Sequence, residues 1–287
     1  MARISGNHGQ AILKIFQKAK VAIGVVHCLP LPGTPRHRGE SIDAICERAL
    51  ADAQAYVAGG IDGLIIENHG DIPFVRSESL GPETAAVMSV ITDRVRHATG
   101  VPIGINVLAN APMPALAIAK AGGASFIRVN QWANAYVANE GLIEGQAGLA
   151  LRYRASIGAE DVAIFADSHV KHGAHAIVAD RSIVELTRDL EFFDADVAIA
   201  TGQRTGDAVD LAELETISRA TSLPVLVGSG VTEENIGAIL EHAAGVIIGS
   251  SLKRDGVWWG TVERERVARF MEIVDRCRNN AETRESP

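Results

Sequence analysis

The feature that most constrains this chain is a repeat of pattern rather than of sequence. A short β-branched apolar run, a polar or glycine-rich break and an Ala- and Leu-rich stretch recur about eight times. The apolar runs are "VAIGVVH" (21–27), "GLIIEN" (63–68), "PIGINVL" (102–108), "SFIRVN" (125–130), "VAIFAD" (162–167), "VAIAT" (197–201), "PVLVG" (224–228) and "GVIIG" (245–249). Helices are expected around 41–58, 82–98, 113–121, 146–157, 182–193, 211–221, 232–242 and 261–278. Runs that are apolar on both faces and separated by helices read as parallel strands, because crossover helices shield both sides of the sheet. Eight such units in 287 residues match an α/β fold of the (β/α)8 barrel kind, the TIM barrel. A doubly wound open sheet uses the same units, but the first strand-to-helix turn, "HCLPLPGTPRHRG", has no GxGxxG fingerprint.

No internal linker or low-complexity tract interrupts the pattern, so residues 1–287 read as one barrel domain with its core at about 21–278. "AILKIF" is expected to form a short N-terminal amphipathic helix on the surface of the fold, and the polar tail 279–287 to fray. With 47% hydrophobic and 22% charged residues the chain can bury a large core. Its net charge of -8, without a Lys or Arg run, argues against nucleic acid as a partner. Cys28, Cys46 and Cys277 form no CxxC pair, which suggests neither a structural zinc site nor disulfides. No apolar stretch approaches the roughly 20 residues that span a bilayer, and the N-terminus lacks a secretory pattern. The expected location is cytoplasmic.

Polar residues fall at the C-terminal ends of nearly all the strands: His27, Glu67 and Asn68, Asn106, Arg128 and Asn130, Asp167 with His169 and Lys171, and Thr201. Side chains alternate along a strand, so Arg128 and Asn130 share a face, as do Asp167, His169 and Lys171 if the extended conformation continues. Outward positions face apolar helices, so these groups are expected in the barrel mouth. Singly, each has a plainer reading. Asn106 and Thr201 can be satisfied core groups, Arg128 can neutralise Glu67 or Asp167, and His27 can be structural. Their joint placement favours a functional mouth.

The last two strands end in "VLVGSGVTEEN" and "VIIGSSLKRDG". Glycines let backbone N–H groups approach an anion and serines add hydroxyl donors. Loops after the seventh and eighth strands are where barrels commonly hold phosphate. Gly202, Gly228, Ser229, Gly230, Gly249, Ser250 and Ser251 are the expected phosphate-binding residues, and Thr232 the N-cap of the following helix. Trp258 and Trp259 are either an interface or packing after the last strand.

These segments, with "IGVVHCLPLPG", "DGLIIENHGDIPF", "GPETAAVMSVI", "PIGINVLAN", "FIRVNQWANAYVANEGLIEG" and "ADSHVKH", resemble the BtpA/SgcQ family over about residues 21 to 273. The resemblance implies a barrel of the phosphate-binding group. By matching position it implies His27, Glu67, Asn68, Asn106, Arg128, Asn130, Asp167, His169, Lys171 and His172 as the site. The family takes its name from a factor needed for accumulation of photosystem I in cyanobacteria, and other members resemble parts of carbohydrate-uptake and catabolic operons. Ala109 and Ala111 stand where the family pattern has an arginine and an aspartate, and "QWANA" at 131–135 differs from the usual loop.

Two classes of function follow. The first is an enzyme, an isomerase, lyase or hydrolase, acting on a small phosphorylated sugar or related metabolite. There His169 or Glu67 moves a proton, Asp167 orients the histidine or takes a proton itself, Arg128 and Asn130 steady an oxyanion, and Lys171 is a nucleophile or an anchor. A variant adds zinc or a similar divalent metal on His27, Glu67, Asp167 and His169. The second class is a non-catalytic assembly factor for a membrane complex, docking through "AILKIF" or the insertion 131–145. A homo-oligomer fits either class.

Overall fold

A computed structural model describes residues 10–171, 173–202 and 209–285, with the side chains of 281–285 left aside. His172, which the resemblance places in the site, lies outside the described residues. Eight parallel strands close into a barrel: β1 (Val21–His27), β2 (Gly63–Glu67), β3 (Ile103–Asn106), β4 (Phe126–Val129), β7 (Ala163–Asp167), β8 (Val197–Thr201), β9 (Val225–Gly228) and β10 (Gly245–Ile248). Helices α2 (Ile42–Ala58), α3 (Pro82–Thr99), α4 (Pro112–Gly122), α5 (Ala147–Ser156), α6 (Ile183–Phe192), α7 (Leu211–Ala220), α8 (Ile236–His242) and α9 (Arg264–Glu285) follow the strands in turn. The closed ring, β1-β10-β9-β8-β7-β4-β3-β2, leaves no edge and excludes the open-sheet alternative. No described helix is long and apolar enough to cross a membrane.

Strand alternation divides the apolar residues into two sets. Val21, Ile23 and Val25 of β1, Phe165 of β7 and Ile247 of β10 belong to the cluster filling the barrel interior, while Ala22 and Val26 pack outward with the helices. Phe126 and Phe165 stack at 4.3 Å across the interior. Gly104 makes room for them, since a Cβ there would come within 2.1 Å of the Phe126 ring. The same alternation carries His27, Glu67, Asn106 and Arg128 inward at adjacent register positions, His27 beside Glu67, Glu67 beside Asn106, and Asn106 beside Arg128.

Helix α1 (Ala11–Phe16) forms as expected and is amphipathic, with Leu13 exposed and Ile12 and Phe16 buried; Phe16 meets Phe126 at 5.8 Å in the interior cluster. Its apolar face closes the end of the barrel opposite the mouth. Three other segments differ from the sequence expectation. Helix α9 extends into the segment expected to fray, as far as Glu285 among the described residues, consistent with the helix propensity of Ala, Glu and Arg. Thr232 does not cap α8, which starts at Ile236 after Asn235; the Asn235 side chain instead accepts from the Thr232 amide at 2.9 Å. The insertion 131–145 forms an antiparallel hairpin, β5 (Ala135–Ala138) with β6 (Gly141–Glu144). An antiparallel bridge joins Val137 of the hairpin to Ala174 in the loop after β7.

Candidate active site at the barrel mouth

At the mouth the inward strand ends meet in pairs. Arg128 donates through Nε and Nη2 to both carboxylate oxygens of Asp167, each at 3.0 Å, and Asn130 Nδ2 donates to Asp167 at 3.4 Å. Asp167 is thus committed beneath Arg128. Asn106 Nδ2 donates to Glu67 Oε2 at 2.6 Å and His69 Nδ1 to Glu67 Oε1 at 2.9 Å, while His27 Nε2 stands 3.6 Å from the same Oε1. Burial opposes ionisation of Glu67, but the hydrogen bond from His69 and nearby positive groups outweigh it and hold the carboxyl well below its usual range.

His27 is fixed from behind. Its Nδ1 lies 2.9 Å from the Trp258 carbonyl and 2.9 Å from Lys253 Nζ, and Lys253 donates to that carbonyl at 2.9 Å. Burial, then the charge of Lys253, pushes His27 down to about 3. Lys253 is itself fully buried, which lowers its amine to about 8. Trp258 packs its ring edge-on to His69 at 4.5 Å, whereas Trp259 is 63% exposed. The tryptophan pair is therefore split between the site and the surface.

Two cavities open here. One, of about 450 Å³, is lined by His27, Trp258 and the loops after β9 and β10, including Ser229, Gly230, Gly249, Ser250 and Ser251. The other, of about 370 Å³, is lined by Asn106, Asn110, Asn130 and Ala109, by Phe74, and by Tyr136 and Asn139 of the hairpin. Both are lined by Glu67, His69, Arg128 and Lys171, so together they form one cleft. Burial, helped by Arg128 and opposed by Glu67 and Asp167, pushes the Lys171 amine down to about 8. The Oδ1 atoms of Asn106 and Asn130 are buried without a hydrogen-bond donor among the described residues.

Of the expected phosphate-binding residues, Gly202 and Gly228 do not line this cavity. A Cβ on Gly228 would instead meet Arg128 at 3.4 Å. Ser251 Oγ donates to the Val231 carbonyl at 2.9 Å, tying the two loops together, and Ser229 holds a left-handed φ of 85°. Asn68 is buried and used structurally, accepting from the Leu108 amide at 2.8 Å and donating to Asp71 at 2.9 Å. Thr201 donates to the His169 carbonyl at 2.8 Å.

The expected shared face of Asp167, His169 and Lys171 is not formed. His169 lines a separate recess with His175, their ring centroids 3.9 Å apart, and burial followed by His175 lowers it to about 4. Strand β7 ends at Asp167, so alternation no longer governs the residues beyond it. His69, Lys253, Trp258 and Tyr136 were absent from the expected site. None of the four lies on a barrel strand, and His69, like His169, stands two residues beyond the end of its strand.

A family model described as the BtpA family matches residues 18–276. A protein of Archaeoglobus fulgidus is 43% identical over 255 residues, covering 89% of this chain and 98% of that protein. The photosystem I biogenesis protein BtpA of Synechocystis is 42% identical over 264 residues, covering 92% of this chain and 91% of the relative. Among solved structures, (S)-3-O-geranylgeranylglyceryl phosphate synthase from Thermoplasma acidophilum, in complex with sn-glycerol-1-phosphate, aligns with a TM-score of 0.59 at 15% identity. It covers 96% of this chain and 100% of that one. The α subunit of tryptophan synthase from Legionella pneumophila aligns with a TM-score of 0.57 at 16% identity, over 93% of this chain and 97% of that one. The structural neighbours share the barrel, and the match over residues 18–276 together with the close sequence relatives establishes that this chain belongs to the BtpA family.

Proposed function

We propose that the protein is an enzyme acting on a small phosphorylated sugar or related polyhydroxy metabolite, with proton transfer at a carbonyl as its chemistry. The observation that carries this reading is the single cleft whose two ends differ in kind. Glycine- and serine-bearing loops after β9 and β10 line one end, asparagine amides the other, and Glu67, His69, Arg128 and Lys171 stand between them. Ser229, Gly230, Gly249 and Ser250, where barrels commonly hold phosphate, line the same cavity as Lys171 and Glu67, so a ligand whose phosphate they held would have those two groups within the same cavity. The acceptors on Asn106 and Asn130 suit substrate hydroxyls, because a buried acceptor without a donor costs about 1–3 kcal/mol.

Lys171 is the group we assign to proton transfer. Its amine at about 8 is close to the operating pH that general acid–base catalysis favours. Glu67, held ionised, is a weak base and serves to stabilise positive charge. The Synechocystis relative, a photosystem I biogenesis protein, offers a non-catalytic reading, but the apolar face of α1, one of the two docking surfaces such a reading would use, is packed into the barrel.

Thermal-shift measurements against sugar phosphates and their unphosphorylated counterparts test the proposal. A ligand at about 100 times its Kd adds about 2.7 kcal/mol of stability. Phosphorylated compounds should raise Tm, their unphosphorylated counterparts should not, and Ser250→Ala should remove the shift. If phosphorylated and plain sugars behave alike, or if Ser250→Ala binds as well as the native protein, the reading fails.

A further inference from the structure

We propose that His27, Glu67 and His69 form a site for one divalent transition-metal ion of the zinc type. Each residue contributes one donor atom, and the three atoms lie within 4.8 Å of one another. Glu67 Oε1 is 2.9 Å from His69 Nδ1 and 3.6 Å from His27 Nε2. Zinc bound at about 2.0–2.1 Å in a tetrahedral site separates its ligand atoms by roughly 3.3 Å, between those two distances. These two separations therefore suit an ion, which on binding would replace the proton that His69 Nδ1 otherwise donates to Glu67.

The surrounding groups are those that orient metal ligands. Asn106 Nδ2 holds the other Glu67 oxygen at 2.6 Å, which turns Oε1 toward the histidines. The Trp258 carbonyl lies 2.9 Å from His27 Nδ1, so a proton on Nδ1 donated to that carbonyl leaves the Nε2 lone pair for the ion. Lys253 competes for the same Nδ1. If its donation prevails, Nε2 carries the proton and the three residues form only a hydrogen-bonded cluster. That is the rival reading.

Two nitrogens and one carboxylate oxygen, with a cavity of about 450 Å³ on their open side, match sites that keep a coordination position for water or substrate. The ligand set also differs from the one sequence pattern suggests. Asp167 is held by Arg128, and His169 lines another recess. A metal here would polarise a carbonyl or phosphoryl oxygen of a ligand seated in the cleft. The inference goes beyond the phosphosugar reading, and metal uptake is measured without substrate, so either can fail alone.

The full chain, purified without chelator, loaded with zinc or cobalt and desalted, should carry about one ion per chain, with cobalt giving visible absorption of low coordination number. His69→Ala should lower zinc affinity at least about tenfold, and Asn106→Ala by about 10- to 100-fold. His69→Gln keeps much of the side-chain volume and should give the same loss, guarding against a folding defect in the alanine variant. His169→Ala should bind like the native protein. Uptake below about a tenth of an equivalent by the native chain overturns the proposal. So does native stoichiometry and affinity in both His69 variants, or loss of binding in His169→Ala.

Discussion

Arg128 and Asp167 are both nearly inaccessible, and two parallel hydrogen bonds join them. Removing one partner strands the other charge in the barrel, which typically costs about 3–5 kcal/mol. Arg128→Ala should lose stability in that range by urea unfolding, and Arg128→Ala with Asp167→Ala should lose less than the two single changes added together. Strict additivity would mean that the pair is not coupled. Lys171 predicts a pH dependence of stability. Its folded value of about 8 lies below its ordinary 10.5, so between these values the unfolded chain binds more protons and stability rises with pH. Lys171→Met should be more stable than the native protein at pH 7, by on the order of 1–3 kcal/mol, with the gap closing as pH rises. Unfolding curves at pH 7 and pH 10 with a constant difference would contradict this. At this scale the sequence was readable where strand geometry held: His27, Glu67, Asn106 and Arg128 are inward as alternation requires. It was unreadable where the chain leaves the strand, which is why His169 went elsewhere. Lys253 and Trp258 come from a loop after the last strand, and no periodicity aims a loop side chain at His27.

The eight strands and their crossover helices were legible because burial on both faces leaves long apolar runs that only a covered parallel sheet can use. The hairpin β5–β6 was not, since each of its strands has four residues and one side faces solvent at Val137 and Leu142. Its remaining cue is the turn at Asn139 and Glu140 before Gly141, whose φ of 99° suits glycine. Functionally the hairpin is a wall. Tyr136, Asn139 and Glu140 line the amide end of the cleft, while the serine loops lie at the other end. Replacing residues 135–144 with a short Gly/Ser linker should leave the barrel folded, because its backbone pairing is separate from the barrel ladder. Calorimetric titration should then show unchanged affinity for inorganic phosphate and at least about tenfold weaker binding of a sugar phosphate, the loss of roughly 1.4 kcal/mol of contacts. Equal weakening for both ligands would remove the hairpin from substrate recognition.

Over the whole molecule the barrel separates its tasks by end. The mouth gathers polar groups that are costly to bury, and the far end is closed by apolar side chains, Phe16 of α1 against Phe126 and Phe126 against Phe165. The interior cluster between them supplies the stability that the mouth does not. This division makes α1 a discriminating element. If it served to dock a partner, truncating its apolar face would leave the isolated chain as stable as before. If it closes the barrel, Phe16→Ala opens a cavity among Phe126, Val21 and their neighbours and should cost about 3–5 kcal/mol. The same variant should keep native affinity for phosphate and zinc at temperatures where it remains folded, because Phe16 lines neither cavity of the mouth. Lys171→Met should do the opposite, gaining stability while losing turnover. Urea unfolding paired with ligand titration on the two variants reads both quantities. A Phe16→Ala protein of native stability would return α1 to the surface as a docking helix.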